Sequence, residues 1–311
     1  MARLANTQLD VSRVCLGANV FGWTIDEQRS FEVLDAYVEA GGNFIDTADM
    51  YGRRGPEGPG SSELILGRWI AARGNRERLV IATKVGSALE HPGLSAQNIH
   101  RGADASLRRL GIDCIDLYYS HEDDPDTPLA ETLGAYDELT AAGKIRHAGA
   151  SNYSAARLRE AMEVAQREGL APYVALQPHY NLVERGEYEG ELAAVCSEHG
   201  LACMPYFGLA RGFLTGKYRR DGDRVDSQRA PGIEEKYLND RGLRMLDALL
   251  DIAAARDVAP AGVALAWLLA KPAVLAPIAS ATSVAQLTES MRALTLQLDE
   301  REIARLDAAG A

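Results

Sequence analysis

The chain has 311 residues, of which 47% are hydrophobic and 25% charged, and its formal net charge is −11. This balance is typical of a globular protein with a large core, and the acidic surface argues against nucleic acid or an anionic membrane as the main partner. No apolar run is long enough to span a bilayer, and residues 1–10 lack the apolar stretch of a secretory signal. We therefore expect a cytoplasmic protein with no membrane partner and, without any C-x-x-C pair, four free cysteines.

Short apolar runs alternate with amphipathic stretches along the whole chain. The apolar runs are continuous, as in parallel strands that are buried on both faces. The eight predicted strands span residues 14–18, 43–47, 79–85, 115–121, 145–150, 174–177, 202–206 and 274–279. The segment 52–60 is rich in glycine and contains two prolines, which is typical of a surface loop.

Helix signals fill the spaces between these strands. Asp26, Ser95 and Ser154 are expected to be N-cap residues, and Thr127-Pro128 opens a further helix. The predicted helices span residues 26–40, 95–111, 127–143 and 154–169, with two more at 241–256 and 260–270 and a last one at 299–309. A regular order of strand and helix predicts a closed parallel barrel or a doubly wound sheet.

Two observations favour the barrel. Eight strands is the number that closes one, and no G-x-G-x-x-G motif follows the first strand, where a dinucleotide-binding sheet carries it. We therefore predict one α/β domain over residues 1–311, a (β/α)8 TIM barrel with two extra helices and a long loop, residues 207–240, after the seventh strand.

Polar side chains occur where most of the predicted strands end. In a parallel barrel these ends all face one mouth, where the active site lies. Taken singly, a lysine at a strand end is usually a surface group and a histidine is usually structural. The prediction of an active site therefore depends on the presence of several such residues at the same mouth. The residues are Asp46, Tyr51, Lys84, His121, Ser151, Asn152, Gln177, Tyr206, Ser280 and Thr282.

Four of these residues suit the reduction of a carbonyl group. Hydride addition produces an alkoxide that must be protonated, and Tyr51 can donate that proton. Because burial raises the pKa of a phenol, we expect the ammonium of Lys84 to outweigh burial and lower the pKa of Tyr51. Asp46 would keep Lys84 charged, and His121 would orient the carbonyl.

The chain resembles the aldo-keto reductase family over nearly its whole length. The most specific segments are NFIDTADMYGRRGPEGPGSSELILG at 43–67 and GKIRHAGASNYS at 143–154, followed by IATK at 81–84, DLYYSH at 116–121, PYFGLARGFLTGKY at 205–218 and, more loosely, PIASATSVAQLTES at 277–290. The resemblance implies the tetrad Asp46, Tyr51, Lys84 and His121, no metal, a small carbonyl substrate, and NADPH as the cofactor, with NADH also used.

The resemblance also implies which residues bind the cofactor and the substrate. Ser151, Asn152, Gln177 and Tyr206 would meet the nicotinamide, Leu209, Arg211 and Gly212 the pyrophosphate, and Ser280, Thr282, Gln286 and Ser290 the adenosine end, with Gly17, Ala18, Asn19 and Asp46 also near the cofactor. Phe21, Trp23, Tyr51 and His121 would line the substrate pocket. We expect the glycine-containing loop 207–240 to fold over the cofactor and to move when it binds.

The sequence departs from the family pattern at three places, and two of them change what we expect of the cofactor and the substrate. Thr282 stands where an arginine is common, which predicts a weaker preference for NADPH over NADH. Glu122, Asp123 and Asp124 follow His121, so we expect a negative mouth that favours neutral substrates. The segment 5–8 replaces a glycine-rich hairpin.

Two other functions compete with the enzyme. The β-subunits of potassium channels are similar to this family, so the protein could be a cofactor-binding, redox-sensing subunit with little turnover. A metal-dependent hydrolase would need a motif such as H-x-H after the first strand, and residues 15–18 offer none. The sequence indicates neither the physiological substrate nor the oligomeric state.

Overall fold

The centre of the molecule is a ring of short parallel strands, seen in a computed structural model that describes residues 1–219 and 230–310. The strands are β1 (Cys15–Gly17), β2 (Phe44–Asp46), β3 (Val80–Val85), β4 (Ile115–Ser120), β5 (Ile145–Ser151), β6 (Ala175–Gln177), β7 (Ala202–Cys203) and β8 (Ile278–Ala279). They pair in the order β7-β6-β5-β4-β3-β2-β1-β8, and every pair is parallel.

Backbone hydrogen bonds also connect the two end strands of this order. The Cys203 N–H donates to the Ala273 oxygen at 2.9 Å, and the Ile278 N–H donates to the Pro205 oxygen at 2.8 Å. The sheet therefore curls round to meet itself, and the predicted (β/α)8 fold is confirmed. Strands β7 and β8 are shorter than predicted because Pro205 and Pro277 have no N–H to donate to a ladder.

Helices surround the strands. They are α1 (Glu27–Glu39), α2 (Ser61–Arg73), α3 (Ala96–Leu110), α4 (Leu129–Ala141), α5 (Ala155–Glu168), α6 (Glu191–His199), α7 (Ala230–Tyr237), α8 (Asp240–Arg256), α9 (Pro260–Leu269), α10 (Val284–Met291) and α11 (Glu300–Ala309). The three predicted N-caps are confirmed, since the side chains of Asp26, Ser95 and Ser154 each accept from a backbone N–H three residues on.

Sequence reasoning missed α2, α6 and α7. Helix α2 has Gly60 at its N-cap position, and glycine has no side chain to cap the helix. Glu63 in its first turn is buried, so the helix shows neither a cap signal nor a polar face. Helix α7 lies inside the segment predicted as a loop, which also contains the turn Ala210–Thr215. The prediction that this segment moves falls partly on residues 220–229, which lie outside the described residues.

The amino end of the barrel is covered. Residues Ala2–Arg3 pair antiparallel with Asp10–Val11, so a hairpin forms despite the departure from the glycine-rich pattern. Leu4 and Val11 from this hairpin pack with Phe44 and Val80 at the start of two strands. The opposite end, where the strands finish, is the one that opens into cavities.

The structure also describes the cysteines and the most apolar helices. All four cysteines are free, and Cys15, Cys196 and Cys203 are buried. In the part of the chain that the structure describes, no single helix is both long and apolar enough to cross a membrane, although α8 and α9 reach that length together across a bend of 101°.

Candidate active site

Three of the predicted catalytic residues form one hydrogen-bonded group at the carboxyl ends of β2 and β3. The Lys84 ammonium donates to Asp46 Oδ2 at 2.6 Å, to the Thr47 carbonyl at 2.8 Å and to the Tyr51 hydroxyl at 3.2 Å. Lys84 has no exposed surface. Because β2 and β3 pair in parallel with Asp46 opposite Ala82, the two strand ends bring the acid and the amine together.

The protonation states of this group follow from opposing effects. Burial lowers the pKa of Lys84, but the charge of Asp46, together with Tyr51 and the hydrogen bonds to both, raises it above its ordinary value. Lys84 is therefore a cation at neutral pH. For Tyr51, burial raises the pKa, and the neighbouring ammonium of Lys84 opposes that rise without cancelling it. The expectation that Lys84 would outweigh burial is wrong, because the phenol is more deeply desolvated than a strand-end position suggested.

His121 lies beside Tyr51 at the end of β4. The two rings meet edge to face with 5.9 Å between their centres. Burial, followed by the charge of Lys84, lowers the pKa of His121 to about 3. The imidazole is therefore neutral at physiological pH, so it can donate one hydrogen bond but carries no charge.

A second group of polar residues follows β5, β6 and β7. The Gln177 amide donates to Asp46 Oδ1 at 2.9 Å, and Ser151 donates to the Gln177 carbonyl at 2.9 Å. Asn152, which has a positive φ of 57°, accepts from the Tyr206 hydroxyl at 2.8 Å. Hydrogen bonds thus fix these amide and hydroxyl groups, which line the same cavity as Asp46, Tyr51 and Tyr206.

A cavity of about 1010 Å³ runs along these groups. The predicted cofactor residues that line it are Gly17, Asn19, Asp46, Ser151, Asn152, Gln177, Tyr206, Leu209, Arg211, Gly212, Ser280, Thr282, Gln286 and Ser290. Tyr51 and His121 line it as well, so the catalytic and cofactor predictions converge on one space. Glu289 and Lys217 also line it, and of these two Lys217 was not predicted, although it belongs to the matched segment 205–218.

Helix α10 begins at the far end of this cavity. Ser283 caps the helix, and the Thr282 N–H and hydroxyl both donate to Gln286 Oε1 at 3.0 Å. Ser280 donates to Asn19 across the barrel seam, which joins the predicted first loop to the last strand. A helix N-terminus favours an anion, while Glu289 on the same helix lines the cavity with the opposite effect.

Comparison with known proteins agrees with this geometry. The model of the aldo/keto reductase family matches residues 13–311. The chain belongs to this family.

Several curated relatives of this aldo/keto reductase span nearly its whole length. It is 35% identical to a Bacillus subtilis protein named as an uncharacterized oxidoreductase, YrpG, over 97% of this chain and 93% of the relative. It is 34% identical to a probable voltage-gated potassium channel subunit beta of Oryza sativa, over 94% and 90%. It is 33% identical to the Schizosaccharomyces pombe aldo-keto reductase yakc [NADP(+)], over 93% and 84%. The protein is thus an NAD(P)-dependent oxidoreductase of the class that reduces small carbonyl compounds.

Three predicted site residues of this aldo/keto reductase are placed differently from the rest. Phe21 and Ala18 are fully buried in the apolar core and line neither cavity. Trp23 lines a second cavity of about 430 Å³, which shares Tyr51 with the first. Phe21 follows Val20 in a tight turn. Burial of its apolar ring in the core stabilises the fold more than exposure at the solvent-filled mouth of the barrel would. Arg53 and Arg54, which sequence reasoning overlooked, line the second cavity instead.

The structure places the three acidic residues of the predicted negative mouth outside both cavities and pairs one of them. Asp123 forms an ion pair with Arg157 at 2.9 Å. Asp124 accepts from the Leu94 N–H at 2.7 Å and from the Thr127 hydroxyl at 2.7 Å, and these and other hydrogen bonds outweigh burial and lower its pKa. None of the three acidic residues lines either cavity. Across residues 1–219 and 230–310, no cluster of three or more His, Cys, Asp or Glu residues could hold a metal ion.

Proposed function

We propose that this protein reduces aldehydes and ketones with NADPH and that Tyr51 donates the proton. The single observation that supports this best is the contact of the buried Lys84 ammonium with both Asp46 and the Tyr51 hydroxyl, beside a cavity large enough for a dinucleotide. An ammonium in this place stabilises a phenolate more than a phenol, so it acts when the proton leaves.

The raised pKa of Tyr51 suits the direction of reduction. At neutral pH the phenol keeps its proton until the substrate oxygen gains negative charge, and then transfers it to form the alcohol O–H bond. Lys84 compensates the charge that remains on Tyr51, and Asp46 keeps Lys84 protonated. Without Lys84, burial alone would hold the phenolate too high in energy.

His121 binds and orients the carbonyl in this proposal. Its pKa of about 3 excludes it as a proton donor at neutral pH, because it has no second proton to give. A neutral imidazole beside Tyr51 can still donate one hydrogen bond to the carbonyl oxygen. Tyr51 and His121 together would direct that oxygen to one position and polarise the bond for attack.

The residues of the larger cavity fit a nicotinamide dinucleotide. The arrangement of Ser151, Asn152 and Gln177 beside the Tyr206 ring suits a planar carboxamide, and Arg211 and Lys217 supply positive charge for a pyrophosphate. When bound, NADPH would supply the hydride that forms the new C–H bond. We also propose that NADH supports measurable turnover, because Thr282 cannot form the paired bonds that an arginine makes to a 2′-phosphate.

The experiment that tests this function is a turnover assay with purified protein. A panel of aldehydes, ketones and keto-sugars is offered with NADPH and with NADH, and cofactor oxidation and the alcohol product are both measured. Product formed in step with NADPH oxidation supports the proposal. Tight NADPH binding without product formation from any carbonyl would contradict it.

That contrary result would favour a second function, a cofactor-binding regulatory subunit. The similarity to the Oryza sativa protein named as a probable channel subunit is the observation behind this alternative. A regulatory subunit would bind NADPH and NADP⁺ with different affinities, whereas its turnover would be negligible.

A further inference from the structure

The second cavity, next to Tyr51, has an unbalanced charge. Its volume is about 430 Å³. The residues that line it are Asn19, Trp23, Met50, Tyr51, Gly52, Arg53, Arg54, Phe207, Arg211 and Gly232. Three of them are arginines, and among these described lining residues none is an aspartate or glutamate. A substrate that reaches the Tyr51 hydroxyl from this side must pass a wall whose charged residues, in the described part of the chain, are all arginines.

The three arginines are not used in ion pairs within the described part of the chain. Among the neighbouring acidic groups, Glu57 on the same loop lies 3.5 Å from Arg68, and Glu184 pairs with Lys236 at 2.6 Å. Burial, followed by the charge of the exposed Glu187, raises the pKa of Tyr206, but Glu187 does not line the cavity. Glu122 is exposed and lies near enough to Tyr206 to help raise its pKa, but it does not line the cavity. The guanidinium groups of Arg53, Arg54 and Arg211 therefore have capacity for an external anion.

Two of these arginines rest on aromatic rings. The Arg54 guanidinium lies 5.5 Å from the centre of the Trp23 ring, and that of Arg211 lies 4.7 Å from the centre of the Phe207 ring. A guanidinium on a ring keeps its N–H groups free for acceptors while the contact limits its motion. Arg211 also lines the cofactor cavity, so Arg53 and Arg54 are the two that serve the second cavity alone.

We propose that this reductase prefers carbonyl substrates that carry an anionic group, a carboxylate or a phosphate, which Arg53 and Arg54 bind while the carbonyl meets Tyr51 and Arg211 serves the cofactor. Trp23, Met50 and Phe207 would contact an apolar or aromatic body between the two ends. The inference rests on the proposed function and specifies its substrate class. It reverses the expectation from the sequence, which favoured neutral substrates.

The test compares pairs of related aldehydes in which one member carries an anionic group and the other is neutral. One pair is 4-carboxybenzaldehyde and methyl 4-formylbenzoate, and the other is glyceraldehyde 3-phosphate and glyceraldehyde, each assayed with saturating NADPH. We expect kcat/KM at low ionic strength to favour the anionic member by about tenfold, since the two exposed cations Arg53 and Arg54 each contribute modestly. About 0.5 M salt should reduce the preference. The pair with the larger ratio shows whether carboxylate or phosphate fits better.

Single substitutions locate the effect. Arg54→Gln and Arg53→Gln should each lower the ratio of anionic to neutral kcat/KM by about threefold, the effect of one exposed ion pair. Arg78→Gln is the matched control, because it removes the same charge from an exposed site before β3, at the opposite end of the barrel. It should leave the ratio as in the wild type, and if Arg54→Gln fails to fold, Arg53→Gln still makes the comparison.

The possible results distinguish a failure of the substrate-class inference from a failure of the proposed reductase function. If the neutral aldehydes are reduced as fast as their anionic partners, the inference is overturned and the proposed function stands. An equal loss of preference in Arg78→Gln would show that net charge, not this cavity, sets the ratio, which also overturns the inference. If no aldehyde is reduced at all, the proposed function fails and the inference fails with it.

Discussion

The Gln177 side-chain amide donates a hydrogen bond of 2.9 Å to Asp46 Oδ1, although the two residues lie 131 positions apart. The other carboxylate oxygen of Asp46 accepts from Lys84 at 2.6 Å. One buried carboxylate therefore fixes both the ammonium beside Tyr51 and the orientation of the Gln177 amide.

Gln177→Met should destabilise the protein and weaken cofactor binding together. It leaves a buried carboxylate oxygen without its donor, which costs about 1–3 kcal/mol and corresponds to a Tm lower by several degrees. Calorimetry measures the Tm, and fluorescence titration measures the Kd of NADPH. Gln166→Met on the exposed face of α5 is the control and should change neither. An unchanged Tm in Gln177→Met would mean that Asp46 finds another donor.

Tyr51→Phe should lower kcat by about 10²–10⁴-fold, the usual contribution of a general acid. The substitution removes only the hydroxyl, so the Kd of NADPH should stay within about twofold. Because burial raises the pKa of Tyr51, the phenol stays protonated in weak alkali, and the wild-type kcat/KM for reduction should be level from about pH 7 to pH 9. Steady-state rates against pH measure both effects, and a variant with wild-type kcat would eliminate Tyr51 as the acid.

Thr282→Arg should widen the preference for NADPH over NADH. An arginine in this place can bind the 2′-phosphate with two charge-assisted hydrogen bonds, worth about tenfold or more in kcat/KM, whereas Thr282 is occupied with Gln286. Thr288→Arg adds the same charge to an exposed position on α10 and serves as the control. If the ratio of kcat/KM for the two cofactors does not change in Thr282→Arg, the 2′-phosphate is bound by other groups.

Asp49 should make the protein less stable as the pH rises toward neutrality. Burial, followed by the charge of Glu63, raises the pKa of Asp49 to about 7. The folded state then holds this proton more tightly than the unfolded chain, whose aspartate pKa is about 3.9. The stability from protonated Asp49 is complete below about pH 4 and is lost as the pH rises through 7.

Asp49→Asn should remove this dependence and raise the Tm at pH 8. The corresponding gain in the free energy of unfolding is at most about 4 kcal/mol. Thermal unfolding at several pH values between 5 and 8 measures it. Asp113→Asn, at an exposed position after α3, should follow the wild-type curve. Parallel curves for the wild type and Asp49→Asn would show that Asp49 is ionised in the folded state throughout this range.

The order of elements and most of the candidate site could be predicted from the sequence. Asp46, Lys84 and Gln177 each end a continuous apolar run, and in a parallel barrel all such ends meet at one face. That rule is local to each strand, so it needs no knowledge of how far apart the residues lie in the chain. N-caps such as Asp26 and Ser154 could be predicted for the same reason, since the capping bond reaches only three residues.

Only the tertiary structure decided which charges face the mouth and how the titrating groups behave. Asp123 looked like part of an acidic rim, but its partner Arg157 comes from α5, beyond the next helix and strand, and neutralises it. The position of Arg54 in a glycine-rich loop indicated no function in the sequence, whereas in the folded chain its guanidinium lies on the Trp23 ring. The pKa of Tyr51 is the difference between two large opposing effects, burial and the Lys84 charge, and its sign depends on depth and distance, which the order of residues does not contain.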